Sequence, residues 1–365
     1  MADYNVAIIG AGIAGASLAA ETGPHHRVLL LEAEDLPGYH TTGRSAAFWE
    51  ECYGGPEIVP LTRASADFLR AGGFLAPRGA LYVGRKQDAA ALDAFEARFV
   101  ETGAHLERLA PGQAQQQVPL LRPEWCEAIW QPQCADIDVA ALHQHYLRAA
   151  KAAGVALVTR ARIETVEREG EGWLLRSADG REWRAEAIAN AAGAWADTLA
   201  EMAGARSLGI QPLQRTMLQL KTEPGLPRGG PLTLDISGRF YFKPESGGSM
   251  WFSPHDETPM PPGDAVPEEL AVAEGIDRLS RVIETRSLKV ERTWAGLRSF
   301  APDRKPVIGW DACVPGFFWF AGQGGFGIQT APAAARLASQ LLLERPRDAM
   351  TQALDEQSFS PARFG

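Results

Sequence analysis

The first two hydrophobic runs of the chain, Val6–Ile9 and Val28–Leu31, are short, continuous and apolar, as strands buried on both faces are. An Ala-rich stretch between them, ending near Gly23, reads as a helix, so the chain opens strand–helix–strand. Helical spacing returns in residues 60–73 through Leu61, Ala64, Phe68 and Leu69, and in 86–103 through Leu92, Phe95 and Phe99. Leu81–Val83 reads as a strand between those two helices, and residues 111–135, rich in Gln and Pro, have no clear period. A helix over 138–153 follows from Val139, Leu142, Tyr146, Leu147 and Ala150, with Gly154 placed to close it. Strands are expected at Val155–Val158 and Ile163–Glu167, then a hairpin around Trp173–Leu175 and Trp183–Ala185. Residues 187–190 form a further strand that runs into small residues at 191–194. Strand patterns at Met217–Leu220, Arg239–Lys243 and Met250–Phe252 lie among two Pro/Gly-rich joints, Glu223–Pro231 and Pro259–Pro267. Those joints fit the edges of a smaller antiparallel domain. A helix at 268–283, strands at 290–300, 306–309 and 317–321, and a last helix to about Leu343 complete the pattern.

The opening unit carries specific chemistry. Gly10, Gly12 and Gly15 stand in the order G-x-G-x-x-G between strand and helix, and Glu32 ends the second strand. The first glycine allows the tight turn, the second lets backbone approach a pyrophosphate, and the third lets helix and strand pack closely. Helix N–H groups and the positive end of the helix dipole favour phosphate, and Glu32 is placed to accept from a ribose hydroxyl. Alone, this unit implies a dinucleotide, with NAD as the default. A long polar loop then runs through Thr42, Gly43, Arg44, Ser45 and Ala46 instead of the next strand, and long irregular loops in compact domains are usually functional.

Composition narrows the classes without choosing among them. With 365 residues, two domains are the prior, and 45% hydrophobic with 22% charged residues is ordinary for a globular chain. The net charge of −9 argues against nucleic acid and against an anionic membrane surface. No apolar run approaches the roughly 20 residues that span a bilayer, and the N-terminus has no basic signal-peptide region, so a cytoplasmic enzyme is expected. Cys52, Cys126, Cys134 and Cys313 form no CxxC pair, and neither a metal site nor a disulfide framework is expected.

Several stretches in order, Pro37–Ala47, Ala135–Asp138, Asn190–Trp195, Thr293–Phe300 and Gly324–Thr330, resemble the D-amino-acid oxidase family of FAD-dependent oxidoreductases. Within that family the pattern is similar to bacterial D-arginine dehydrogenase. The resemblance implies an α/β fold (α+β overall): a Rossmann-like FAD-binding domain of glutathione-reductase type with an inserted antiparallel-sheet substrate domain. The FAD domain is expected from 1–79, 136–207 and 293–365, and the substrate domain from 80–135 and 208–292. It further implies FAD contacts from Gly10, Gly12, Ile13, Ala14, Gly15 and Glu32, and from Thr42, Gly43, Arg44, Ser45 and Ala46. The backbone of Ile163 is expected at the adenine, with Ala192, Gly193 and Trp195 nearby. Gly322, Gly324, Gly325, Phe326, Gly327 and Ile328 are expected to aim the last helix at the flavin N1–C2=O edge, where reduction leaves negative charge. No cysteine lies in Thr293–Phe300, so non-covalent FAD is expected.

For the substrate, the resemblance implies Arg298 and Arg215 on the α-carboxylate, with Tyr241 and Tyr53 as active-site tyrosines. The implied reaction moves hydride from Cα to flavin N5, and the imino acid hydrolyses to a keto acid and ammonia, with dioxygen or a quinone as electron acceptor. Two departures bear on the side chain. The glutamate that pairs with a guanidinium in D-arginine dehydrogenase is here Ala80, and a loop histidine is Phe48. A pocket near Phe48, Trp49 and Ala80 is therefore expected to prefer apolar or aromatic side chains of a D-amino acid. Glu50 and Glu51 are expected to be solvated acids. The same fold also serves secondary amines and 2-hydroxy acids, and a non-catalytic flavoprotein subunit of a biosynthetic complex is the alternative of another class.

Overall fold

The computed structural model describes residues 2–365 and is built on two large sheets. The eight-stranded sheet runs Ile163–Glu169, Gly172–Ser177, Glu182–Asn190, Tyr4–Ile9, Val28–Leu31, Ala156–Val158, and Phe317–Ala321 with Val307–Trp310 joins it beside Glu182–Asn190. Tyr4–Ile9 pairs in parallel with Val28–Leu31 on one side and Glu182–Asn190 on the other, so it is the central strand. Its alternation assigns the layers. Val6, Ile8, Val28 and Leu30 face the helices Ile13–Thr22 and Gly327–Leu342, while Ala7, Ile9, Leu29 and Leu31 face the other way, toward Leu199 and Ala200 of the helix Ala196–Met202. Both faces are buried, which explains the continuous apolar runs.

The nine-stranded sheet has the order Thr258–Pro259, Gln211–Glu223, Ser249–Ser253, Tyr241–Pro244, Leu232–Asp235, Ala80–Gly84, Glu127–Gln131, Glu107–Arg108. Ser287–Phe300 pairs antiparallel along the whole length of Gln211–Glu223. One face, with Leu218, Leu220, Phe240, Phe242 and Phe252, is covered by Leu279 and Val272 of the helix Glu269–Ser280. The other face presents Ala80, Tyr82, Met217, Leu234 and Tyr241. Ser287–Phe300 is continuous through 292/293, so the chain crosses from one expected segment to the next inside a strand rather than at a linker.

The elements that went unread in the sequence include the helix Gln113–Gln117 and the strand Glu127–Gln131. The latter is buried on both sides at consecutive Ala128 and Ile129, which hides the two-residue period. The long loop after Glu32 is mostly turns, with one 3₁₀ turn at Thr41–Arg44 and a two-residue strand, Phe48–Trp49. Among the described residues no helix is long and apolar enough to cross a membrane.

Candidate functional site

A cavity of about 410 Å³ opens at the carboxyl ends of the central parallel strands and extends beneath the nine-stranded sheet. Its floor follows from glycine. Gly10 sits at φ +100°, and a Cβ there would stand 2.5 Å from the carbonyl oxygen of Ala191. A Cβ on Gly15 would stand 1.8 Å from the carbonyl of Gly10, so only hydrogen lets the helix Ile13–Thr22 press on the turn. The N-cap residue of that helix, Gly12, has no side chain to cap it and no acid occupies the first turn; Thr42 Oγ1 accepts from Ile13 N–H at 2.9 Å. Gly12 and Ala14 present first-turn N–H groups to the cavity beside Ile13. Glu32 is buried, and its carboxylate accepts from Ala11 N–H at 2.8 Å and Glu34 N–H at 3.0 Å while lining the same space.

Thr42, Ser45, Ala46, Ile163, Ala192, Gly193 and Trp195 line the walls. The N-terminus of Gly327–Leu342 is a second uncapped helix end without acids, and Gly324, Gly325, Gly327 and Ile328 bring it to the cavity. Two uncapped helix ends, a carboxylate and glycine-shaped walls suit a ligand carrying phosphates, ribose hydroxyls and a ring that becomes anionic, and so fit FAD.

Four expected contacts lie behind the wall instead. Gly15 is buried under Gly10; Gly43 closes the 3₁₀ turn, its N–H donating to Gly38 C=O at 2.8 Å; Gly322 turns the chain at φ +72°; and Phe326 packs edge-on to Phe300 in a core cluster. They shape the cradle without reaching its surface. Arg44 lines the cavity, but its guanidinium is held by Asp264 at 2.5 Å and by the Ala295 carbonyl at 3.2 Å, which ties the loop to the segment beneath the sheet.

At the other end the antiparallel register brings two arginines together. Leu213 pairs with Arg298 and Arg215 with Gly296, so Arg215, Met217 and Arg298 share the face that meets the cavity. Arg298 donates to Tyr53 Oη at 2.5 Å and Tyr241 Oη at 3.3 Å. Arg215 is 3% exposed; Nε donates to the Asp256 carbonyl at 2.8 Å, Nη2 meets Glu257 at 3.0 Å, and Nη1 has no partner. Burial and then the like charge of Arg298 push the Arg215 pKa down, as two neighbouring cations with one shared acid would. Arg304 takes part of that acid, 2.8 Å from Glu257. His255 stands edge-on to Tyr241 at 5.6 Å, and burial with Arg215 lowers its pKa to about 3, so the imidazole is neutral near pH 7.

Tyr53 does not line the cavity but reaches it through Arg298. Phe48 sits behind it, 5.0 Å from the Tyr53 ring and 5.7 Å from that of Tyr241, in one apolar cluster with Ala80, Tyr82 and Met217. Ala80 and Phe48 therefore back the wall that Met217, Tyr241 and Ala46 present. Trp49 does not belong there. Alternation along its strand turns it to the opposite side, where it is fully buried against Leu69 and Tyr146, with Nε1 donating to Thr62 C=O at 3.2 Å. Nor are the two neighbouring acids solvated. Glu50 is fully buried with its carboxylate 2.7 Å from Tyr82 Oη, and Glu51 is buried beside Gln131 Nε2 at 2.9 Å.

Met217, Gln323, Glu34 and His40 line the cavity without having been singled out. His40 bridges Glu34 at 3.0 Å and Asp264 at 3.7 Å and packs on Trp195 at 4.8 Å. Glu34, two residues past Glu32 and of the same charge, is the one with a readable signal; Met217 needed the register.

Comparison with known proteins identifies the family and the fold. The family described as FAD dependent oxidoreductase (DAO) matches residues 5–341. The chain is similar to hydrogen cyanide synthase subunit HcnC of Pseudomonas aeruginosa, 30% identical over 220 residues, a match spanning 60% of this chain and 50% of that protein. It is 26% identical to the bovine (Bos taurus) FAD-dependent oxidoreductase domain-containing protein 1, over 93% of this chain and 81% of that one. Among solved structures, L-proline dehydrogenase from P. horikoshii superposes with a TM-score of 0.86 at 21% identity, covering 100% of this chain and 98% of that one. Glycine oxidase from Geobacillus kaustophilus gives 0.84 at 23%, covering 99% and 98%. With the family pattern spanning nearly the whole chain and the cradle built to match, this protein belongs to the DAO family of FAD-dependent oxidoreductases, and FAD is its cofactor.

Proposed function

We propose that the protein oxidises the C–N bond of an amino acid whose α-carboxylate is held by Arg298 and Arg215. The observation that carries this reading is Arg215 Nη1, a buried guanidinium nitrogen without a partner beside a second buried arginine. A carboxylate arriving between them supplies the missing acceptor and a second negative charge beside Glu257. The names of the similar proteins, a glycine oxidase and an L-proline dehydrogenase, support the amino-acid class.

FAD, when bound, supplies the two-electron acceptor. Residues Gly12–Ala14, Glu32, Thr42, Ser45, Gly193, Gly324, Gly325, Gly327 and Ile328 would hold it, judged by what they bring to the cavity wall. The chain's own part is to bind and orient. Tyr53 and Tyr241 fix the plane of Arg298, Glu257 and the Asp256 carbonyl fix Arg215, and His255 stays neutral, adding no third cation. The wall of Met217, Tyr241 and Ala46, backed by Phe48 and Ala80, offers no carboxylate to a charged side chain at the places where D-arginine dehydrogenase has its acid and histidine. The substrate is thus a non-cationic amino acid with an apolar or aromatic side chain, of D configuration by the resemblance, converted to an imino acid that water takes to a keto acid and ammonia.

Anaerobic mixing of the yellow holoenzyme with a panel of D- and L-amino acids, N-methyl amino acids and 2-hydroxy acids tests this. D-Met, D-Leu or D-Phe should bleach the flavin faster than D-Arg. Faster bleaching by D-Arg overturns the pocket assignment, and bleaching by sarcosine or a 2-hydroxy acid alone overturns the primary-amine reading.

A further inference from the structure

Glu50 is the buried acid that the chemistry above does not use. Its side chain is wholly inside, Oε2 accepts from Tyr82 Oη at 2.7 Å, and Oε1 has no partner. Among the described residues no cation lies within salt-bridge distance of it. Burying a carboxyl group with an oxygen unpartnered and no cation beside it, protonated or ionised, costs more than filling the space with an apolar side chain, so stability does not account for an acid here.

Its connections do. The peptide of Glu50 is clamped on both sides by Gln329, whose Oε1 accepts from Glu50 N–H at 3.1 Å and whose Nε2 donates to Glu50 C=O at 3.2 Å. Gln329 is buried in the first turn of the last helix, next to the cavity-lining Ile328, and also donates to Thr62 Oγ1 at 2.9 Å. The Glu50 carbonyl accepts from Tyr53 N–H at 3.3 Å, starting the turn that carries Tyr53 Oη to Arg298. Through Tyr82 the carboxylate reaches the strand Ala80–Gly84 of the sheet that holds Arg215 and Arg298. One residue therefore joins the cofactor-facing helix, the substrate sheet and the tyrosine that aims an arginine.

We propose that Glu50 is a positioning residue: its carboxylate bond to Tyr82 and its peptide clamp to Gln329 set Tyr53 against Arg298, and so set the affinity of the site for a carboxylate. The inference rests on the arginine pair reading above and adds the element that aligns it. The groups facing the carboxylate are Glu51, Cys52, Tyr53, Tyr82 and Cys134. Burial raises Cys52, Cys134 and Tyr82, keeping the thiols and that phenol neutral across ordinary pH.

The test uses holoenzyme and benzoate, an unreactive carboxylate, titrated by the change in flavin absorbance, alongside KM and kcat for whichever amino acid bleaches the flavin. Glu50→Ala and Tyr82→Phe should each weaken benzoate by about tenfold or more and raise KM similarly, while kcat stays within roughly twofold and FAD content is unchanged. Glu50→Gln should rescue, because its amide carbonyl still accepts from Tyr82. If Glu50→Ala fails to retain FAD, Tyr82→Phe decides, since it removes the same bond from the far side. Wild-type benzoate affinity and KM in the FAD-loaded variants overturn the proposal. Failure of wild-type enzyme to bind benzoate instead overturns the arginine-pair reading, and this inference with it.

Discussion

The two ends of the cavity are built from different materials. At the nucleotide end, the working groups are backbone N–H donors, absent Cβ atoms and one carboxylate, drawn largely from one unbroken stretch, Gly10 to Glu32. At the substrate end they are side chains from several strands and a loop, and they meet only because Gln211–Glu223 and Ser287–Phe300 run in one particular register. The first end tolerates no added atom, whereas the second tolerates no lost charge. Substitutions should therefore fail in opposite ways: added volume empties the cofactor site, and removed charge leaves a yellow protein that does not bind its substrate.

Gly15→Ala tests the first half and should have the largest effect. Its Cβ would overlap the Gly10 carbonyl at 1.8 Å, so the purified protein should be colourless, inactive and less stable by about 3 kcal/mol, as read from its absorbance spectrum and denaturant midpoint. A yellow, active Gly15→Ala protein would break the contrast. Arg298→Met tests the second half. FAD content should be normal while kcat/KM drops about a thousandfold, near 4 kcal/mol, since the guanidinium proposed to hold the substrate carboxylate is lost. Arg215→Met should cost less, on the order of a hundredfold and mainly in KM, because Arg304 remains beside Glu257.

Glu50 sharpens the comparison further, since it belongs to neither end. Burial lifts its pKa from 4.5 to about 7, partly offset by the Tyr82 hydrogen bond. The folded protein thus holds a proton there that the unfolded chain has released, and this group's contribution makes stability fall as pH rises from about 4.5 to 7 and level off above. Glu50→Gln should abolish that loss, raising the melting temperature at pH 8 relative to wild type but little at pH 5. The shift corresponds to roughly 3 kcal/mol at most. Smallest is the change of specificity. Introducing an acid and a histidine behind the pocket wall with Phe48→His and Ala80→Glu should improve turnover of D-Arg against D-Met about tenfold, measured as a ratio of kcat/KM values.

The same contrast explains what could be read from the chain without coordinates. The nucleotide end was legible because a glycine's role is local: Gly10 and Gly15 act on neighbours a few residues away, and Glu32 ends the next strand. The family pattern then singled out Arg298, Arg215, Tyr241 and Tyr53, which the register and the Arg298 hydrogen bonds bring together. What it could not carry was side. Trp49 was expected in the pocket and lies on the opposite face of its strand, and Glu50, expected in solvent, is buried beside Tyr82 for the same reason of alternation. Gly43, Gly322 and Phe326 were expected at the surface and stand one layer behind it, a distinction that depends on turn geometry. His40 and Met217 were missed because each acquires its role only from a partner more than seventy residues away: Asp264 for His40, and Trp294 for Met217.

The most direct test of the account is a single anaerobic experiment on two proteins. Wild-type and Arg298→Met holoenzymes, matched for FAD content, are mixed with D-methionine and L-methionine while flavin absorbance is followed. The account predicts full bleaching of the wild type by the D enantiomer and almost none in Arg298→Met at the same concentration. A wild-type flavin that stays oxidised with every amino acid tried, or an Arg298→Met flavin that bleaches at the wild-type rate, would contradict it.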